Sequence, residues 1–297
     1  MGWPWAFYIN LPLGAISLWR GATRLQEFKG TPKTHRVDWV GVTLVIISVG
    51  GAAMAITQSD SPHWSRAELW ALGMSSAIAM AAFIAWANTA RHPLVDLTLF
   101  RNHTYSAVNL ATLTFGTAFA MMFFAFFAYM TAVWHYSLPL AGIAITPGPL
   151  LVIPTAIITG RLAARIGHRP ILVTGSLIYA ASSLWLLLVP GSAPSYLAAW
   201  LPGLLLSGVG VGMVLPSLSG AAVAKLPAEH YAVGSAVNQS VRQIGSVLGV
   251  AITVLFIGHD GLTKGDFNPL YCLHFGLALI TGLLCLAVNT RPRGKDR

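Results

Sequence analysis

Arg242 is the residue whose position most invites chemistry. It lies about twelve residues into an apolar run, so roughly 15–18 Å of helix separates it from the nearer end. An ionisable group at that depth is costly in lipid and marks a substrate path or a coupling site by default. Ser235, Asn238, Gln239, Arg242 and Ser246 recur at three-to-four-residue spacing, with Gly249 continuing the line. They draw one small and polar stripe along a helix, while Val233, Val237, Val241, Ile244 and Leu248 fall largely elsewhere. Lipid offers no hydrogen-bond partners, so the stripe must face protein or a wet cavity. Two readings stand: Arg242 bonds helix carbonyls, or it serves substrate binding or conformational coupling.

Other reactive side chains are placed differently. Glu27, Asp38, Asp60, Glu68, Asp96, Glu229, Asp260, Asp266 and Asp296 all fall in loops or at the edges of apolar runs. The partly buried acid that a proton-coupled carrier needs is therefore missing from this stretch. Asn109, Thr112 and Thr114 share a run with Phe115, Phe119, Phe123, Phe124, Phe126, Phe127 and Tyr129. Those aromatics either line a pocket for flat, lipophilic compounds or face lipid. Trp134 and His135 at the end of the run suit an interfacial belt. His35, His63, His92, His103, His168 and His259 read as loop or boundary residues, and the nine histidines show no metal spacing. Cys272 and Cys285 fall on different faces of one helix and read as inert thiols. Neither a Ser/His/Asp set nor a metal cluster suggests an enzyme, and no cofactor or metal is expected.

The elements that hold these residues follow from composition. Of 297 residues, 55% are hydrophobic and 9% charged, with a mean hydropathy of +0.67. A soluble domain carries roughly 25% charged residues. Lipid must therefore solvate most of the surface, which excludes a soluble enzyme, a nucleic-acid-binding domain and a disordered tail. The net charge of +9 sits in short loops rather than on a basic helix, so no nucleic-acid partner is expected. Apolar runs near 4–19, 38–58, 68–89, 105–134, 139–160, 170–189, 196–222, 230–257 and 271–290 predict an all-α integral membrane protein of nine transmembrane helices. Alternate loops carry fifteen Lys and Arg against two. This bias predicts an outside amino terminus and a cytoplasmic carboxyl terminus in the plasma membrane. A chain opening outside with a short first span is expected to lack the amino-terminal part of a longer protein, the alternative being an outside-starting first span oriented by its basic cytoplasmic flank.

Gly208, Gly210 and Gly212 resemble a phosphate loop only superficially, because an apolar helix and not a strand precedes them. Gly208/Gly212 and Gly245/Gly249 are spaced four apart, which suits close helix packing.

Gly160-Arg161-Leu162-Ala163-Ala164-Arg165-Ile166-Gly167-His168-Arg169-Pro170 resembles the signature loop G-x-L-a-D-R-x-G-R-R of the major facilitator superfamily, with Ala164 where the pattern has Asp. Gly2-Trp3-Pro4-Trp5-Ala6-Phe7-Tyr8-Ile9-Asn10-Leu11-Pro12-Leu13-Gly14 is similar to the opening of helix six in its fourteen-helix drug:proton antiporters, Pro4 replacing Arg. Asp38-Trp39-Val40-Gly41 resembles the D-x-x-G start of helix seven, and Pro93–Arg101 the linker before helix nine. Gly234-Ser235-Ala236-Val237-Asn238-Gln239 followed by Arg242 is similar to helix thirteen.

The resemblance implies helices six to fourteen only. Residues 1–20 would end an otherwise absent six-helix amino-terminal domain, 21–104 would hold a cytoplasmic loop and two linker helices, 105–290 a complete six-helix carboxyl-terminal domain, and 291–297 a basic cytoplasmic tail. It implies efflux of small lipophilic or cationic compounds driven by a proton gradient, with the bilayer and a small-molecule substrate as partners. First and fourth helices of the domain would line the path, making Asn109, Thr112, Ser207 and Ser217 candidates beside Ser235, Asn238, Gln239 and Arg242. Gly160, Arg161, Arg165, Gly167 and Arg169 would form the signature cytoplasmic loop. The alternative is a non-transporting half-carrier or membrane scaffold that needs a partner.

Overall fold

The computed structural model describes residues 8, 10–24, 38–59, 63–90, 93–227, 230–258 and 261–290. Residues 1–7 and 9, the basic segment 25–37, Asp60, Arg91, His92, Glu229, His259, Asp260 and the tail 291–297 lie outside them. The chain falls into two units, Met1–Arg36 and Val37–Arg297. In the first unit, helix α1 spans Asn10–Arg24. Among the described residues eight helices are long and apolar enough to cross a membrane, where the sequence predicts nine.

The described secondary-structure elements of the second unit are all helices. Helices α2 (Trp39–Thr57) and α3 (Arg66–Thr89) pack on each other. Asp38 ties them together. Its carboxylate accepts from Gly41 N (2.9 Å), Trp86 Nε1 (2.9 Å) and Leu94 N (2.8 Å). A side chain at Gly41 would collide with that carboxylate, so the D-x-x-G pattern is an N-cap with a fixed reason for its glycine. Burial raises the Asp38 pKa, but the donors Gly41, Leu94 and Trp86 outweigh it and hold it below the ordinary value. A depressed carboxylate stabilises the fold above its unfolded pKa, and that contribution fades as pH falls through the folded value. The protection factor of the Leu94 amide, measured against its intrinsic exchange rate at each pH, should thus be high at neutral pH and fall below roughly pH 4. Asp38→Asn should abolish that acid-dependent fall.

Six further spans form the bundle. They are α4 (His103–Ala128), continued by a π-turn at Tyr129–Val133; the bent pair α5 (Leu138–Ile145) and α6 (Pro147–Ile166); α7 (His168–Leu188); α8 (Leu201–Val223), preceded by a π-turn at Tyr196–Trp200; α9 (Tyr231–Ile257); and α10 (Phe267–Cys285). The bend between α5 and α6 follows from Pro147, which cannot donate to the preceding turn. Thr146 N is shared by Gly142 O and Ile143 O, both at 3.2 Å. Pro216 similarly frees the carbonyl of Gly212, and Thr159 Oγ1 of α6, whose hydrogen has Thr155 O at 2.7 Å, approaches it to 3.3 Å. Neighbouring helices can rescue proline inside a membrane in this way.

Packing pairs α4 with α9 and α10, α7 with α8 and α10, and α6 with α8, while α2 lies along α9. At the end where α4 finishes and α10 begins, Trp200 is fully buried against Phe126, Tyr129 and Trp134, and Tyr129 also meets Phe267. Tyr129 Oη and Trp134 Nε1 both donate to Gly191 O, at 3.1 and 2.8 Å. Trp134 therefore belongs to an aromatic plug and not to a lipid-facing belt, because its N–H finds a partner only inside. His135 beside it is exposed.

Two spans of the bundle differ from expectation in their limits. Helix α6 continues through Arg161 and Arg165 to Ile166, six residues beyond the apolar run, because long basic side chains reach the interface from a helix end. Helix α10 begins at Phe267 and ends at Cys285, earlier than 271–290 at both ends. Pro269 sits in its first turn, where a missing N–H costs nothing.

Candidate functional site

A half-open cavity of about 220 Å³ lies between α4, α6 and α8. Phe119, Met122, Phe123 and Phe126 of α4 form one wall, Gly148, Pro149 and Val152 of α6 a second, and Leu204, Ser207, Gly208 and Val211 of α8 a third. Tyr179 of α7 also lines it. The helical period sorts the aromatic run of α4: Phe115 is buried, Phe119, Phe123 and Phe126 line the cavity, and Phe124 and Phe127 face outwards.

The polar content of the cavity is small. Ser207 Oγ donates to Leu204 O at 2.7 Å, which leaves its lone pairs free to accept. Tyr179 Oη is buried without a partner. Apolar aromatic walls with one or two polar groups suit small lipophilic ligands. Gly208 lets α8 approach α6, since a Cβ there would stand 2.5 Å from Gly148 O.

Asn109 and Thr112 are elsewhere. Asn238 Nδ2 of α9 donates to Asn109 Oδ1 (3.1 Å) and Thr112 Oγ1 (2.9 Å), and Asn109 Nδ2 donates to Tyr105 O (2.9 Å). Tyr105 Oη completes the set by donating to Gly234 O at 3.1 Å. These buried groups clamp α4 to α9 and leave no free donor for a ligand at the Asn238 amide. Below the clamp the backbones cross closely: a Cβ on Gly245 would meet Leu113 O at 2.5 Å, and one on Gly116 would meet Arg242 O at 2.8 Å.

The predicted stripe on α9 thus divides. Asn238, Gly245 and Gly249 face α4, whereas Ser235 and Gln239 are exposed and Arg242 is half-buried. Arg242 Nε donates to Gln239 Oε1 at 3.2 Å, and among the described residues its guanidinium is bonded to no helix carbonyl. Ser217 is buried with its hydroxyl unpartnered and does not line the cavity.

In the signature segment, Gly160, Arg161 and Arg165 belong to the last turns of α6, and Gly167 alone makes the turn. Its φ of 83° and ψ of 169° lie where only glycine is comfortable. Arg161, Arg165 and Arg169 are exposed, and His168 N donates to Thr290 Oγ1 at 2.8 Å.

Sequence reasoning took Arg242 as the one ionisable group at membrane depth, and this needs correction. His274 is 1% exposed, about 10 Å into α10, and packs edge-on to Tyr179 with ring centroids 4.6 Å apart. Placing the span at 271–290 left His274 near a boundary; starting it at Phe267 carries the histidine inwards. Its spacing from Phe267, Tyr271, Ala278 and Thr281, all buried, was the available signal.

Long apolar helices, an aromatic cavity and buried polar clamps define a polytopic membrane protein of the transporter kind. The model of the Major Facilitator Superfamily matches residues 1–250 and 108–297, and the chain belongs to that superfamily. It is similar to the multidrug resistance protein Stp of Mycobacterium tuberculosis (29% identity, covering 84% of this chain and 46% of Stp). It is also similar to the multidrug transporter protein MdtP of Bacillus subtilis (28%, 85% and 46%) and the multidrug export protein EmrB of Escherichia coli (24%, 90% and 54%). The chain spans about half the length of the curated relatives it matches.

Proposed function

We propose that this chain contributes the carboxyl-terminal six-helix domain, with its two linker helices, of a proton-coupled exporter of small lipophilic or cationic compounds. The aromatic cavity between α4, α6 and α8 carries this reading, because its walls suit flat apolar molecules. The names of Stp, MdtP and EmrB support it. The domain limits follow the resemblance, with 105–290 as the six-helix domain and 21–104 as the linker. The charge bias supports a cytoplasmic carboxyl terminus in the plasma membrane.

Export further requires a complementary six-helix domain. Ser235, Gln239 and Arg242 present polar groups on an outer face of α9 at membrane depth, and lipid leaves such groups unsatisfied. The coverage of about half of each relative favours the same requirement. Expressed alone, the chain should give no proton-dependent ethidium transport in inverted vesicles, yet should bind ethidium when purified in nanodiscs. Robust transport by the isolated chain would overturn the need for a second domain, and absent binding would overturn the cavity reading.

A further inference from the structure

Where α6 turns into α7, a second half-open cavity of about 540 Å³ lies between that turn and the segment that follows α10. None of its nine lining residues is acidic, and Arg169, Asn289 and Thr290 among them carry side-chain donors. The first turn of α7 adds a backbone donor. A helix begins with N–H groups that find no partner within it. Here Gly167 N donates to Ala163 O (2.9 Å), His168 N donates to Thr290 Oγ1 (2.8 Å), and Pro170 has no N–H. The N–H of Arg169 is the one left over. Thr290 is 8% exposed; it accepts from His168 N, and its own hydroxyl hydrogen has no acceptor among the described residues. The Arg169 guanidinium makes no ion pair among them either.

A concave site with several donors, a guanidinium and no competing carboxylate suits an oxyanion, and the planar fork of arginine matches phosphate oxygens. The apolar part of the rim identifies what carries the anion. Ile166 and Leu286 line the same cavity, yet they are 45% and 44% exposed. Leu162 and Leu283, one turn back along α6 and α10, are exposed as well. A free phosphate gains nothing from such neighbours, whereas an acyl chain covers them with hydrocarbon. We infer that this cavity binds the headgroup of an anionic phospholipid. Its phosphate oxygens take the hydrogen bonds of Arg169 and Thr290, and its chains run along Ile166 and Leu286.

The place in the bundle agrees with this occupant. Helix α7 begins and α10 finishes here, so the cavity lies at the end opposite the aromatic plug. Arg161 and Arg165 in the last turns of α6 and Arg101 before α4 share this end and raise its positive potential. Basic pockets between spans at a bilayer surface hold anionic headgroups. A lipid seated there reinforces the bond from His168 N to Thr290 and ties the α6–α7 turn to the end of α10. The site does not depend on what the aromatic cavity carries.

The test is native mass spectrometry of the whole chain in mild detergent, titrated with dioleoylphosphatidylglycerol. This lipid should bind about fivefold more tightly than dioleoylphosphatidylcholine, which has the same chains and phosphate but no net charge. Equal affinity for the two would overturn the anionic site. Arg169 is exposed, so Arg169→Gln should keep the fold and weaken phosphatidylglycerol by about tenfold, a common cost of losing a hydrogen bond to a charged group. Arg101→Gln removes an exposed cation at the same end that does not line the cavity, and should bind like the parent. Unchanged binding in Arg169→Gln, or equal loss in both variants, would mean diffuse attraction to the surface and sink the proposal. Val173→Trp fills the cavity with every charge retained and should weaken the lipid similarly; full-strength binding there would put the lipid elsewhere. Glycerol 3-phosphate offers the phosphate without chains and should bind about tenfold more weakly or worse. Affinity equal to that of the lipid would overturn the lipid and make free phosphate the occupant. Ethidium enters none of these readouts, so their outcome is separate from that of the export reading.

Discussion

Gly245→Val should prevent the six-helix bundle from assembling in its present form. A Cβ at this position would stand 2.5 Å from Leu113 O and 3.0 Å from Thr117 N, both backbone atoms of α4. Neither can swing aside as a flexible side chain can, so α9 must move away from α4 as a body. That movement stretches the clamp of Asn238 on Asn109 and Thr112, two turns away. Overpacking alone costs about 1–3 kcal/mol, and the stretched buried amide adds about 1 kcal/mol or more. The check is size-exclusion chromatography in mild detergent, where the variant should lose most of its monodisperse peak. Gly276→Ala is the control: nothing stands within 4 Å of a Cβ there, so its profile should match the parent. A monodisperse Gly245→Val with unaltered thermal unfolding would show that the crossing is looser than described.

The second large effect concerns binding. Val152→Trp places an indole in a cavity of about 220 Å³, and ethidium affinity should fall by tenfold or more, equivalent to about 1.4 kcal/mol. Val152 is only half-buried, so the fold should tolerate the larger side chain. Leu150→Trp, two residues away on the outward face at 61% exposure, should bind like the parent. Equal affinity in all three proteins would mean that ethidium sits elsewhere. Together the two substitutions separate what holds the bundle from what the bundle holds.

These expectations draw on different amounts of sequence information. Lengths of apolar sequence determined that the chain is helical and crosses a membrane, since a bilayer demands about 20 apolar residues per span whatever the tertiary fold. The glycine pairs Gly208/Gly212 and Gly245/Gly249 showed where helices approach, because nothing but hydrogen fits such a contact. The D-x-x-G motif at Asp38 could be recognised but not understood, as two of its donors, Trp86 and Leu94, come from far along the chain. Likewise the stripe on α9 was visible as a line of polar residues. Its division into the clamping Asn238 and the outward Gln239 and Arg242 was not, because adjacent positions on a helix face differ by about 100° and only the neighbouring helix selects between them.

Sequence by itself therefore determined the solvent, the secondary structure and the superfamily resemblance, all of which are properties of contiguous segments. Tertiary structure alone decided which phenylalanines line a cavity, that Asn109 and Thr112 hold α9 in place, and that His274 lies inside against Ser183. Each of these depends on a partner on another helix or on a helix start shifted by one turn, and neither distance nor depth is written in local spacing.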